Sequence, residues 1–119
     1  MIDKTFAERF AAEWIDAWNH RDVERVLAHY ADDFTMHSPI IIQFYGEPTG
    51  KLQGKDKVRA YWTKALQSLP DLRFELISTL IGVDSLTVYY KGARDRLVAE
   101  VFHFGTDRQV TKAYAHYAV

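Results

Sequence analysis

The chain has 119 residues, 15 Lys+Arg against 16 Asp+Glu, no cysteine and a formal net charge of -1. Hydrophobic residues make up 48% and charged residues 26%, the balance of a globular chain and not of a disordered one. The missing cysteines exclude disulfides, thiolate nucleophiles and thiolate metal ligands, and the balanced charge argues against the basic face that phosphate backbones require.

Phe6, Phe10, Trp14 and Trp18 recur every four residues, with Ala7, Ala11 and Ile15 as an adjoining ridge. That spacing predicts one helix from about Thr5 to Asn19 with a broad apolar face. Thr5 with Glu8 makes a capping box, and Asp3 is a rival start. So many aromatic side chains suit a helix lying across a concave sheet. After Asn19-His20-Arg21, Val23, Val26, Leu27 and Tyr30 mark one face of a second, short helix that ends at Asp32-Asp33.

Phe34 to His37 reads as a strand, and Pro39 ends or bulges it at an edge. Ile40 to Tyr45 is apolar and is followed by Gly46-Glu47-Pro48-Thr49-Gly50; it is either a strand or a flap over an opening. A third helix runs from Lys55 to Leu69, with Val58, Trp62, Ala65 and Leu69 on its buried side. Four β-rich runs follow: Leu72 to Ile81, Leu86 to Lys91, Leu97 to Phe104 and Val110 to Val119. Their short connections demand antiparallel neighbours. Residues 1–119 therefore form a single α+β domain, a bent sheet with helices on one side. No apolar run approaches the roughly 20 residues of a membrane span. The charged start, Met1-Ile2-Asp3-Lys4, has no apolar signal core, which points to the cytoplasm.

Glu100 is the residue most in need of explanation. In Leu97 to Phe104, Val98, Glu100, Phe102 and Phe104 share one face, and Leu97, Ala99, Val101 and His103 the other. A carboxyl group beside Val98 and Phe102 loses hydration, and desolvation raises its pKa. On the last strand Lys112, Tyr114 and His116 share a face. A three-residue loop, Thr106-Asp107-Arg108, sets Gly105 opposite Gln109 and Glu100 opposite Tyr114. This gathers a carboxyl, a phenol, an ammonium and an imidazole. A one-residue slip puts Glu100 opposite Ala113 and scatters them, and a two-residue turn is also compatible with Gly105-Thr106-Asp107. The plainer reading is a solvated face or dimer seam in which Glu100 pairs only with Lys112. Trp14, Trp18, Trp62 and Phe102 are enough to line an apolar pocket with a few polar groups.

His37 and Ser38 form a second candidate cluster beside the uncertain loop. His37 is either a general base near neutral pH or a half-exposed edge residue. Gly46 to Leu52 differs from a phosphate loop by one missing residue and by Leu52 where a hydroxyl should bind magnesium. No dinucleotide fingerprint, nucleophile elbow or paired-histidine metal motif occurs, so neither cofactor nor metal is expected.

Several phrases carry a resemblance. They are Trp18-Asn19-His20-Arg21-Asp22, Leu27 through Phe34, Gly54-Lys55-Asp56-Lys57-Val58, Val98 to Phe102 and Val110 to Tyr114. In these and in element order the chain resembles the nuclear-transport-factor-two-like superfamily. Within it, the chain is similar to the SnoaL-like domains related to polyketide cyclases and ketosteroid isomerases. The resemblance implies a cystatin-like roll: three helices and a cone-shaped, strongly curved, mostly antiparallel sheet wrapped around the N-terminal helix. It also implies a pocket for a small apolar or aromatic molecule at the open end, and a homodimer through the outer sheet face, with no nucleic-acid or membrane partner.

Ketosteroid isomerases set an aspartate base against a tyrosine and a protonated aspartic acid. In the matching places this chain has His37 or Ser38 for the base, Trp14 for the tyrosine and Glu100 for the protonated acid. Tyr114 stands where the cyclases carry an acid. Three functional readings follow. One is a small-molecule-binding domain with an apolar pocket. Another is an isomerase or cyclase for a hydrophobic carbonyl compound, with His37 as base and Glu100 or Tyr114 as donor. The third is a non-catalytic dimerising scaffold. As candidate residues, His37, Glu100 and Tyr114 are catalytic, and Trp14, Trp18, Ser38, Trp62, Phe102, Lys112 and His116 bind the ligand.

Overall fold

A computed structural model describes residues 1–119. Helix α1 spans Lys4–Asn19, and Asp3 caps it by accepting the Phe6 amide at 2.8 Å, so the rival start prevails over the Thr5 box. The four-residue spacing of Phe6, Phe10, Trp14 and Trp18 stacks these rings along one side. Across from them stand the sheet residues Tyr90, Phe102 and Phe104 with ring centroids 5.0–5.3 Å away. Ala7, Ala11 and Ala17 are buried beside that ridge, where only a small side chain lets neighbouring backbone approach.

Helix α2 covers only Val23–Leu27, capped by Asp22. Tyr30, expected on this helix, instead begins strand β1, Tyr30–His37. The Val110 amide donates to the His29 carbonyl and draws the chain into the sheet just before Tyr30. Asp32 and Asp33 lie within β1, exposed, where its register against the last strand is interrupted.

Residues 40–45 are not a strand. Helix α3, Pro39–Gln43, begins where the Ser38 hydroxyl accepts the Ile40 amide and Pro39 takes the first helical position, where its missing N–H costs nothing. A short strand β2, Lys51–Gln53, pairs back onto β1. Gly50, with φ at +70°, makes the turn into it; a β-carbon there would crowd the Ile42 side chain at 3.2 Å. Helix α4 follows, Lys55–Ser68. Tyr61 and Leu66 are buried on it with Val58 and Trp62, and Ala65 and Leu69 are only partly covered.

Strands β3 (Glu75–Ile81), β4 (Ser85–Lys91), β5 (Leu97–Phe104) and β6 (Val110–Tyr117) form the expected antiparallel meander. The sheet order is β2-β1-β6-β5-β4-β3, and only β1 and β6 run parallel. The architecture is thus α+β with four helices, one more than expected, against one face of a six-stranded, mostly antiparallel sheet. No helix is long and apolar enough to cross a membrane.

Candidate functional site

The register of β5 against β6 decides which side chains meet. The Gly105 amide donates to the Gln109 carbonyl at 2.9 Å, as a three-residue loop requires. Phe104 then pairs with Val110, but His103 pairs with Lys112, so Thr111 is an extra residue in β6. Beyond this bulge Glu100 faces Ala115, not Tyr114, and Val98 faces Tyr117. Val110, Ala113 and Ala115 are buried inward, while Lys112 and His116 are exposed. A regular strand would have turned Lys112, Tyr114 and His116 under α1, burying a charge and two polar rings where two alanines now sit.

The expected cluster is therefore divided between the two faces of the sheet. On the outer face Tyr114 stacks on His37, with ring centroids 4.1 Å apart, and stands edge-on to His103 at 5.5 Å. His37 Nδ1 is held against the Ala113 carbonyl oxygen at 3.1 Å. Neither His37, Tyr114, Lys112 nor His116 reaches Glu100, because each leaves the backbone on the opposite side of the sheet.

On the inner face Glu100 is 4% exposed and lines a cavity of about 400 Å³ between the sheet, α1, α3 and α4. Trp14, Trp18 and Trp62 line it as the sequence suggested. Phe102 and Ser38 are buried but are not part of the wall: Phe102 packs between Phe10, Trp14 and Tyr30, and Ser38 caps α3. Most of the wall is apolar, with Met36, Leu72, Phe74 and Val98 among its members.

Glu100 is the only carboxyl in that wall. Burial raises its pKa to about 8, and a long hydrogen bond from the Tyr90 hydroxyl to Oε1, 3.4 Å, pulls only weakly the other way. At neutral pH the group is mainly the uncharged acid, so its own O–H is a donor. Its second oxygen has no protein partner.

Phenols surround it. Desolvation pushes Tyr30 and Tyr90 well up, with the nearby Glu100 carboxyl adding to the rise, and raises Tyr61 in the same way. Tyr117 rises to about 12 through burial and Glu100, while the Ser38 hydroxyl pulls it back. Tyr30 is satisfied by Trp14, whose indole N–H donates to its oxygen at 2.9 Å. The Trp18 indole N–H is buried without a partner.

A larger open groove of about 1270 Å³ lies along the start of α1. Its charges are largely satisfied among themselves: Arg108 lies 3.6 Å from Asp3, and Arg25 holds both Glu13 and Asp16. No group of three His, Asp or Glu side chains is placed to hold a metal ion.

With this geometry in view, residues 11–117 match the family described as SnoaL-like domain. The chain belongs to the SnoaL-like domain family. A SnoaL-like protein of unknown function from Burkholderia thailandensis E264 is 58% identical, with 99% of this chain and 98% of that one covered and a TM-score of 0.96. A cystatin-like protein from Methylobium petroleophilum PM1 superposes with a TM-score of 0.79 at 16% identity, covering 99% of this chain and 79% of that one. A SnoaL-like family protein from Agrobacterium tumefaciens C58 gives 0.77 at 17% identity, with 97% and 99% covered. At such identities the last two speak for the fold alone. No curated protein matches the sequence.

Sequence reasoning missed most of the cavity wall, including the three phenols Tyr61, Tyr90 and Tyr117 and the turn bearing Arg94 and Arg96. Tyr90 had a legible signal, since it alternates with Leu86 and Val88 on an inward strand face. Tyr117 had none, because its inward direction depends on the bulge at Thr111.

Proposed function

We propose that this SnoaL-like domain binds a small, largely apolar molecule in the inner cavity, with the neutral carboxyl of Glu100 donating a hydrogen bond to an acceptor on the ligand. The observation that carries this reading is one uncharged acid, with an unpartnered oxygen, in the wall of an otherwise mainly apolar hollow. A scaffold has no need of such a hollow, which a filled core would close at a gain in stability.

Proton-transfer catalysis is the second reading and fits less well. It needs a base opposite the donor, and His37 stands on the far side of the sheet. The phenols of the wall are all held protonated by burial. Dimerisation through the outer face is compatible with either reading, since Leu97 is exposed there beside the half-buried Ala99 and Val101.

The test uses 2-acetylnaphthalene, a flat neutral ketone, followed by calorimetric titration and by the rise in melting temperature that binding to the folded state produces. Glu100→Gln keeps a donor and retains binding, whereas Glu100→Ala weakens it by about tenfold, the worth of one buried hydrogen bond. Wild-type affinity falls as pH rises through about 8, where the carboxyl ionises and stops donating. Affinity unchanged between pH 6 and 9.5 would remove Glu100 from the binding role.

A further inference from the structure

Two arginines stand in the same wall as Glu100. Arg94 and Arg96 belong to the turn between β4 and β5, and both are exposed to solvent. Arg96 continues the inward face of Val98 and Glu100, four residues from the acid, which is about 13 Å along extended backbone. Its Nε donates to the Ala118 carbonyl at 3.1 Å, and its guanidinium lies 4.9 Å from the centre of the Tyr117 ring. The remaining guanidinium nitrogens are left free. Arg94 has neither a hydrogen bond nor an ion pair within the chain.

The turn holds Arg94 and Asp95 at positive φ, 57° and 61°, a backbone form that side-chain-bearing residues adopt at a cost. Asp95, between the two arginines in sequence, does not contribute to the cavity wall. The polar inventory of the wall is therefore lopsided. Beside the neutral groups of Gln43, Ser68 and the three tyrosines it offers two guanidinium groups on the turn and the Glu100 acid further along β5, and it has no ionised acceptor to match the guanidiniums.

We propose that the cavity takes an elongated, flat organic anion: an aromatic or polycyclic body with a carbonyl acceptor at the Glu100 end and a carboxylate at the Arg94 and Arg96 end. This rests on the binding reading above and adds to it the charge and the length of the ligand. Guanidinium forks match carboxylate oxygens in geometry, and the apolar stretch between the two polar ends accepts the ring system. Orientation follows from the same inventory. An anion at the inner end would have to lose its hydration beside a buried acid, so the charged group stays at the arginine end, where solvent still reaches.

The experiment compares 6-acetyl-2-naphthoate with its methyl ester by calorimetric titration at pH 6.5. The two share the ring and ketone and differ in the charge. The naphthoate binds about tenfold more tightly, the worth of one partly screened charge-assisted contact. Arg94→Gln, which breaks no contact within the protein, removes most of that advantage by weakening the naphthoate far more than the ester. Salt at about 0.5 M reduces it in the same way by screening. Equal binding of acid and ester, or an advantage that survives in both Arg94→Gln and Arg96→Gln, overturns the anionic assignment and leaves the neutral-ligand reading standing. Binding of neither probe, nor of 2-acetylnaphthalene, overturns both.

Discussion

The two faces of β5 and β6 are built from one stretch of sequence and have opposite characters. Inward lie Val98, Glu100, Phe102, Ala113, Ala115 and Tyr117; outward lie His103, Lys112, Tyr114 and His116. The outer face carries more polar atoms, yet water or a neighbour satisfies them, as His37 and Tyr114 illustrate by stacking on each other. The inner face carries one carboxyl, and its surroundings change what that carboxyl is. Chemical potential here comes from removing water around a single group and not from collecting many ionisable ones.

The largest effect on this contrast comes from Trp14, fully buried against Tyr90 and Phe102 and hydrogen-bonded to Tyr30. Trp14→Ala lowers unfolding stability by about 3–5 kcal/mol in chemical denaturation, from lost packing and from an unpartnered Tyr30 hydroxyl.

Next is the pH dependence. Glu100 is protonated in the folded state up to about 8, while in the unfolded chain it ionises near about 4.3. Between these values the folded protein holds the extra proton, so stability from this group is fully present below the lower value and declines as pH rises to the upper one. The decline is on the order of a few kcal/mol and levels off above it. Glu100→Gln removes this slope, and His116→Gln on the outer face leaves it in place. Melting curves from pH 4 to 9 check both, and a wild-type profile parallel to that of Glu100→Gln would contradict the buried acid.

The smallest effect is expected from the outer face. Tyr114→Ala loses its stacking on His37, costing about 1 kcal/mol. It leaves the affinity for 2-acetylnaphthalene unchanged. A loss of binding in this variant would mean that the two faces are coupled through β6.

Much of the fold was legible in local pattern. The aromatic period of α1, the apolar side of α4 and the short turns of the meander each follow from short-range rules of helix and hairpin. Where the reading failed, long-range pairing overrode local pattern. Tyr30 continues the helical period of Val23, Val26 and Leu27, but hydrogen bonding to β6 claims it for β1. The Ser38-Pro39 pair is a local helix-start signal, but the apolar run after it suits a strand equally well.

For the site, the sequence alone determined that Glu100 shares a strand face with Val98 and Phe102, since alternation is a local property of extended chain, and that the aromatic ridge of α1 would face a sheet. Which residues of β6 would join that acid was decided only in three dimensions. One extra residue, Thr111, lets Val110, Ala113 and Ala115 all pack inward. The bulge that accommodates it is selected by the whole core, through the cost of burying Lys112 and the space α1 leaves beneath it.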